Sequence, residues 1–186
     1  MTTDPQIVEV DHRGKPKRFV FVLMENFTLL SFAAAVESLR IANRTSGKRL
    51  YTWTILSEDG LDAVCSNGCS FRVDGGLIEM DRDDTILMCS GIDVQQATTK
   101  RILNWLRREA RRGAIIGGLC TAGYTLAKAG LLENKKATIH WENQDSFAEE
   151  FEDVTLTKSV FVIDGPRMTT AGGTSSIDLM IKIIAD

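Results

Sequence analysis

The feature that most restricts the fold is a set of short apolar runs with no polar alternation. Residues 18–24 (Arg-Phe-Val-Phe-Val-Leu-Met), 85–89 (Thr-Ile-Leu-Met-Cys) and 114–118 (Ala-Ile-Ile-Gly-Gly) have strand length and are apolar almost throughout. A strand that is apolar at successive positions has both faces covered, as central strands of parallel sheets do. Tyr51–Leu56 alternates β-branched and aromatic residues and reads as a further strand. Between these runs lie segments of helical period. In 30–43, Phe32, Val36, Leu39 and Ala42 recur at three- and four-residue spacing, and in 94–112, Ile102, Leu103, Leu106 and Ala110 share a face. Further helices are expected over 121–131, 144–151 and 174–184, the last with Ile177, Ile181 and Ile184 inward and Thr174 or Ser175 as its cap. Strands alternating with helices make βαβ units, so the pattern predicts an α/β fold with a mostly parallel sheet covered on both sides.

Smaller signals fill in the rest. Asn67-Gly68 between short extended pieces predicts a hairpin. A strand is expected over 137–140, ending at His140. A short β pair is expected over 154–156 and 160–164, with Gly165-Pro166 turning the chain before 168–170. Residues 1–17, with Pro5, Gly14 and Pro16 and no period, read as a flexible amino-terminal arm, leaving one domain over 18–186.

Charge and cysteine content exclude several classes. The net charge of the 186 residues is −3, against the basic excess of a free-standing nucleic-acid binder. Segment 94–112 carries Lys100, Arg101, Arg107, Arg108, Arg111 and Arg112 on one side, which reads as a solvated face. No apolar run approaches the roughly 18 residues of a membrane span, and the first residues lack a secretory pattern, so a cytoplasmic domain is expected. Cys65 and Cys69 have no second Cys/His pair beside them, so neither a zinc site nor any other metal is expected, and no cofactor is implied. Cys65, Cys69 and Cys89 read as small apolar residues in or beside strands.

Cys120 is different. Gly117-Gly118-Leu119-Cys120-Thr121-Ala122-Gly123 joins an apolar strand directly to a helix, the sequence of a nucleophile elbow, which needs small residues two before and two after the turn. The sulfur would sit at the carboxyl edge of the sheet, facing a helix amino end whose amides would lower its pKa. Ligands of such sheets bind at strand carboxyl ends, here the loops 25–31, 89–93, 118–123 and 140–142. The chain has two histidines, and His12 lies in the arm. His140, ending a strand 20 residues after Cys120, is therefore expected beside it, as a Cys–His pair or as a loop tether.

At this point the chain resembles the PfpI-like (class I glutamine-amidotransferase-like) superfamily, and more narrowly the amino-terminal domain of AraC-type transcription regulators. The resemblance rests on Phe27-Thr-Leu-Leu-Ser-Phe-Ala-Ala-Ala-Val-Glu37 with Leu39-Arg40 and Ala42-Asn43, and on Gly118-Leu-Cys-Thr-Ala-Gly-Tyr-Thr-Leu-Ala127 with Ala129-Gly-Leu-Leu132. To these are added Ala137-Thr-Ile-His-Trp-Glu142, Val162-Ile-Asp-Gly165, and Thr170-Ala-Gly-Gly-Thr174 with Asp178. It implies a flavodoxin-like three-layer sandwich that senses a small metabolite, with promoter DNA read by a carboxy-terminal helix-turn-helix domain. No helix-turn-helix pattern follows the last helix here, so an isolated sensor domain is expected. The resemblance also implies a homodimer, with 94–112 and the final helix as candidate surfaces.

Enzymes of the superfamily place a carboxylate near the thiol from the start of the first helix, where this chain has Ser31. That departure favours a binding pocket over a cysteine-dependent hydrolase or glyoxalase, with a redox-sensing Cys120 as a further alternative. The expected pocket combines donors for a carboxylate (Cys120, Thr121, Ser90, Gly91), aromatic faces (Phe27, Trp141), a negative charge (Glu25 or Glu142) and His140. Aromatic faces with an acid suit a cationic nitrogen. Together with the resemblance, this predicts a small nitrogen-containing effector: an amine, betaine, carnitine or arginine-like metabolite.

Overall fold

The structure is a computed structural model that describes residues 15–186. The arm expected over 1–17 lies mostly outside the described residues, and Lys17 already belongs to the first strand. Six strands form the main sheet: β1 (Lys17–Leu23), β2 (Tyr51–Leu56), β5 (Thr85–Cys89), β6 (Ile115–Leu119), β9 (Phe161–Asp164) and β10 (Arg167–Thr170). Their order is β2-β1-β5-β6-β10-β9, parallel throughout except for the antiparallel edge pair β9–β10. The architecture is an α/β three-layer sandwich of the flavodoxin-like kind.

The apolar runs are explained by where their side chains go. In β1, Phe19, Phe21 and Leu23 enter one core while Val20, Val22 and then Met24 enter the other, and Leu87 and Ile86 of β5 divide the same way. The first core is closed by α1 (Leu29–Ser46) through Phe32, Ala35 and Leu39, and by α6 (Ser175–Ala185) through Leu179 and Met180. The second is closed by α3 (Lys100–Arg111) through Ile102, Trp105 and Leu106, by α4 (Gly123–Lys128) through Leu126, and by Phe147 of α5 (Gln144–Glu150). The expected hairpin at Asn67-Gly68 is present, as the antiparallel pair β3 (Ala63–Val64) and β4 (Ser70–Phe71).

Several expectations are corrected. The helix over 94–112 is two helices, α2 (Val94–Ala97) and α3, broken where Thr99 caps α3 by accepting the Ile102 amide at 3.2 Å. Only β7 (Lys136–Ala137) survives of the strand over 137–140. It pairs with β8 (Thr155–Leu156) outside the main sheet, so 154–156 and 160–164 do not pair with each other. In α6, Ile177 and Ile181 face outward, and Thr174 makes no side-chain cap. The basic face of α3 is partly tied down: Arg107 donates to the Ala129 and Lys128 carbonyls, and Arg108 to Glu109, a carboxylate with no exposure.

Candidate functional site

The elbow forms where β6 ends. Cys120 has φ 60°, a left-handed conformation that costs a non-glycine residue about 1–3 kcal/mol and must be held by its surroundings. Two contacts hold it. The Cys120 amide donates to the buried Thr170 hydroxyl oxygen at 2.9 Å, and the Thr121 hydroxyl donates to the Gly91 carbonyl at 2.6 Å. Gly118 must be small because a Cβ there would stand 2.8 Å from the Ala122 carbonyl carbon and the Gly123 nitrogen. A 3₁₀ turn over Cys120–Ala122 leads into α4.

The thiol lies 3.6 Å from the Thr28 hydroxyl and is nearly buried. Burial pushes its pKa up, more than the Thr28 hydroxyl and the Thr121 amide bring it down, and the Glu142 charge adds to the rise. The expected lowering by helix amides is therefore corrected: desolvation outweighs it. The Cys120 amide is taken up by Thr170, and the amide that faces the sulfur is that of Thr121.

Cys120, Thr121, Gly91, His140 and Glu142 line one hollow of about 340 Å³, together with Thr28, Asp93, Gln95, Gln96 and Asn143. His140 arrives on the extended segment after β7 rather than on a strand of the main sheet. That segment is anchored by the Thr138 amide to Thr169 (2.9 Å) and by the Thr138 hydroxyl to the Ser159 carbonyl (2.8 Å). Its Nδ1 lies 3.4 Å from the Glu142 amide, which donates to it, and 3.6 Å from a Glu142 carboxylate oxygen.

Four expected residues do not reach this hollow. The chain turns through a left-handed Asn26 (φ 55°), so Glu25 lines a neighbouring cavity with Glu58, Asp59 and Asp62. Phe27 has no exposure. Its backbone bridges Cys65 and Gly91, and its ring packs edge-on against Phe32 and Phe71 at 5.9 and 5.7 Å, so it is a core residue and not a ligand face. The Ser90 carbonyl accepts the Thr28 amide at 3.2 Å, and its buried hydroxyl lies away from the lining. Trp141 is 70% exposed and stands beside His140, with ring centroids 5.6 Å apart, outside the hollow. Ser31 is buried and donates to the Thr28 carbonyl, so the group next to the thiol is Thr28, a neutral hydroxyl.

Thr28 and Asp93 lie within the expected loops 25–31 and 89–93, but neither they nor Thr170 were singled out as site residues from the sequence. Thr28 and Thr170 stood inside the quoted blocks, but nothing in their spacing marks them as neighbours of residue 120. Among the described residues, no cluster of three His, Cys, Asp or Glu could hold a metal ion, and no helix is long and apolar enough to cross a membrane.

The sequence pattern of the DJ-1/PfpI family matches residues 17–186. The chain belongs to the DJ-1/PfpI family. This DJ-1/PfpI domain is 43% identical over 90% of its length to the HTH-type transcriptional regulator CdhR of Pseudomonas aeruginosa, covering 49% of that protein. It is 38% identical over 99% of its length to the HTH-type transcriptional regulator GbdR of the same organism, covering 50%. The chain thus spans about half the length of the curated regulators it matches. Among solved structures, an AraC family transcriptional regulator from Pseudomonas putida superposes with a TM-score of 0.77 at 25% identity, over 91% of both chains. The DJ-1/PfpI domain is therefore homologous to domains of AraC-family regulators.

Proposed function

We propose that this domain is the effector-binding half of an AraC-type transcription regulator. In this reading the hollow at Cys120 and His140 takes a small zwitterionic metabolite with a cationic nitrogen, such as a betaine, carnitine or an arginine-like amino acid. The observation that supports it most is the charge of the lining. Asp93 and Glu142 face the hollow with no lysine or arginine among the lining residues, while Thr28, Thr121, Gln95, Gln96 and Asn143 supply neutral polar groups. Two carboxylates suit a nitrogen cation, and hydroxyls and amides suit a carboxylate at its other end. Promoter DNA is contacted by the other half of the regulator. The regulator works as a dimer, and the outward Ile177 and Ile181 of α6 with Leu30 of α1 give it an apolar face to use.

Calorimetry with glycine betaine, L-carnitine and L-arginine tests the reading. One of them should bind and raise the melting temperature by mass action, and its neutral isostere should not. Glu142 is 63% exposed, so its charge acts through a high dielectric. Glu142→Gln should weaken binding by about 1 kcal/mol, roughly fivefold. Heat from none of the three, with turnover of a thioester or aldehyde that Cys120→Ser abolishes, would instead establish a cysteine hydrolase or glyoxalase.

A further inference from the structure

The hairpin of β3 and β4 holds two cysteines that the effector hollow does not use. Its register pairs Ala63 with Phe71 and Val64 with Ser70. Continuing by one residue sets Cys65 opposite Cys69, and the Cys65 amide donates to the Cys69 carbonyl at 2.9 Å. The loop between them is Ser66-Asn67-Gly68, closed by the Gly68 amide on the Cys65 carbonyl at 2.9 Å, with Gly68 at φ 87°. Opposed residues of an antiparallel pair have Cα atoms about 4.5–5.5 Å apart, inside the roughly 4.4–6.8 Å range of disulfides.

The side chains agree with the backbone. Ala63 is buried and Phe71 half-buried on the inward face, whereas Val64 and Ser70 are exposed, so alternation puts Cys65 and Cys69 on the same face. The Cys65 thiol donates to the Asn67 carboxamide oxygen at 2.8 Å, and that same oxygen accepts the Cys69 amide at 3.0 Å. The Cys65 sulfur is therefore no farther from the Cys69 nitrogen than those two lengths together. One thiol is sheltered and the other open: Cys65 is 1% exposed, and Cys69 lies in solvent at the hairpin tip.

We infer that Cys69 and Cys65 are a peroxide-reactive cysteine and its resolving partner, closing reversibly to a cross-strand disulfide. The Cys69 thiolate attacks the outer oxygen of a hydroperoxide. The O–O bond breaks, Cys69 becomes a sulfenic acid, and the alkoxide or hydroxide leaves as an alcohol or water after taking a proton. The Cys65 sulfur then attacks the sulfenic sulfur, giving up its proton and its bond to Asn67. The sulfenic oxygen leaves as water, so two thiols are oxidised by two electrons and the peroxide is reduced by two. An exposed bond across so short a loop belongs to the labile class that cellular thiols reduce, which makes the step reversible. The hairpin is joined to the segment beside Thr28 by the Ser66 amide on the Phe27 carbonyl at 2.9 Å, so closure is felt one residue from the hollow.

The test treats the reduced 186-residue chain with a small excess of hydrogen peroxide, then alkylates under denaturation and maps peptides by mass spectrometry. The expected result is loss of two thiols per chain, a peptide linking Cys65 to Cys69, unmodified Cys89 and Cys120, and full recovery with dithiothreitol. Cys65→Ala should lose one thiol and trap a dimedone-reactive sulfenic acid at Cys69. Cys69→Ala, a surface change that leaves the core intact, should lose none at the same dose. Wild-type protein that carries Cys69 sulfenic or sulfinic acid while Cys65 stays alkylatable would overturn the inference. So would oxidation of Cys120 ahead of Cys69, or a Cys69-linked dimer in place of the intrachain bond.

Discussion

Replacing Gly91 by alanine would drive a methyl group into the loop that carries Thr28. The added Cβ would meet the Asn26 carbonyl oxygen at 2.3 Å, the Thr28 nitrogen at 2.8 Å and the Thr28 hydroxyl at 2.9 Å. Two of these three atoms are backbone and cannot rotate aside. Ordinary contact begins near 3.4 Å, so the Asn26–Thr28 backbone must withdraw by about 1 Å. That movement also strains the Thr28 amide on the Ser90 carbonyl. Overpacking of this kind costs about 1–3 kcal/mol, and a weakened buried hydrogen bond about 1 kcal/mol more. The sum, about 3 kcal/mol, corresponds to a melting temperature lower by about 6–12 °C in a chain of this size. Gly75→Ala is the control, since nothing lies within 4 Å of its Cβ and it should stay within about 1 kcal/mol of wild type. The assay is thermal and urea unfolding followed by circular dichroism on all three proteins. If Gly91→Ala melts within about 2 °C of Gly75→Ala, the close approach of β5's end to the Thr28 loop is not what fixes this edge of the hollow.

Thr170→Val keeps the shape of the side chain but leaves the Cys120 amide without its acceptor, which should cost about 1–3 kcal/mol in urea unfolding with an unchanged slope. Burial holds the Cys120 thiol protonated above the range of a free thiol, so it adds stability that is complete below about pH 8.5 and is lost as pH rises from there toward the raised value. The urea midpoint should therefore fall on the alkaline side, and less so in Cys120→Ala. For the same reason iodoacetamide at neutral pH should label exposed Cys69 well before Cys120.

The central strands were legible because burial on both faces leaves one composition open to them, and Tyr51–Leu56 was found to the residue. Residues 137–140 misled because Ile139 and Ala137 are fully buried without being in the main sheet, and apolar content reports burial, not pairing. In α6 an apolar residue recurs on nearly every side, so the spacing of Ile177 and Ile181 and that of Leu179 with Met180 fit a helix equally well. Only packing against α1 and the sheet chooses between them. At the candidate site, the elbow was readable because glycine crowding is a local signal, and His140 because the chain's other histidine, His12, falls in the arm. Phe27 was not, since an aromatic in a loop gives no sign of whether its ring turns toward solvent or, as here, against Phe32 and Phe71. Thr28 and Thr170 act through contacts 92 and 50 residues away in sequence, which spacing does not encode.

In the proposed function the effector is held in the hollow at Cys120. Amide-shift mapping of the isotopically labelled chain during titration with glycine betaine, L-carnitine and L-arginine tests this most directly. For a ligand that saturates, the largest shifts should fall on Gly91, Asp93, Gln96, Cys120, Thr121, Glu142 and Asn143. Shifts gathered instead around Glu25, Glu58 and Asp62 in the neighbouring cavity, or saturation with no change at Cys120 and Thr121, would contradict it.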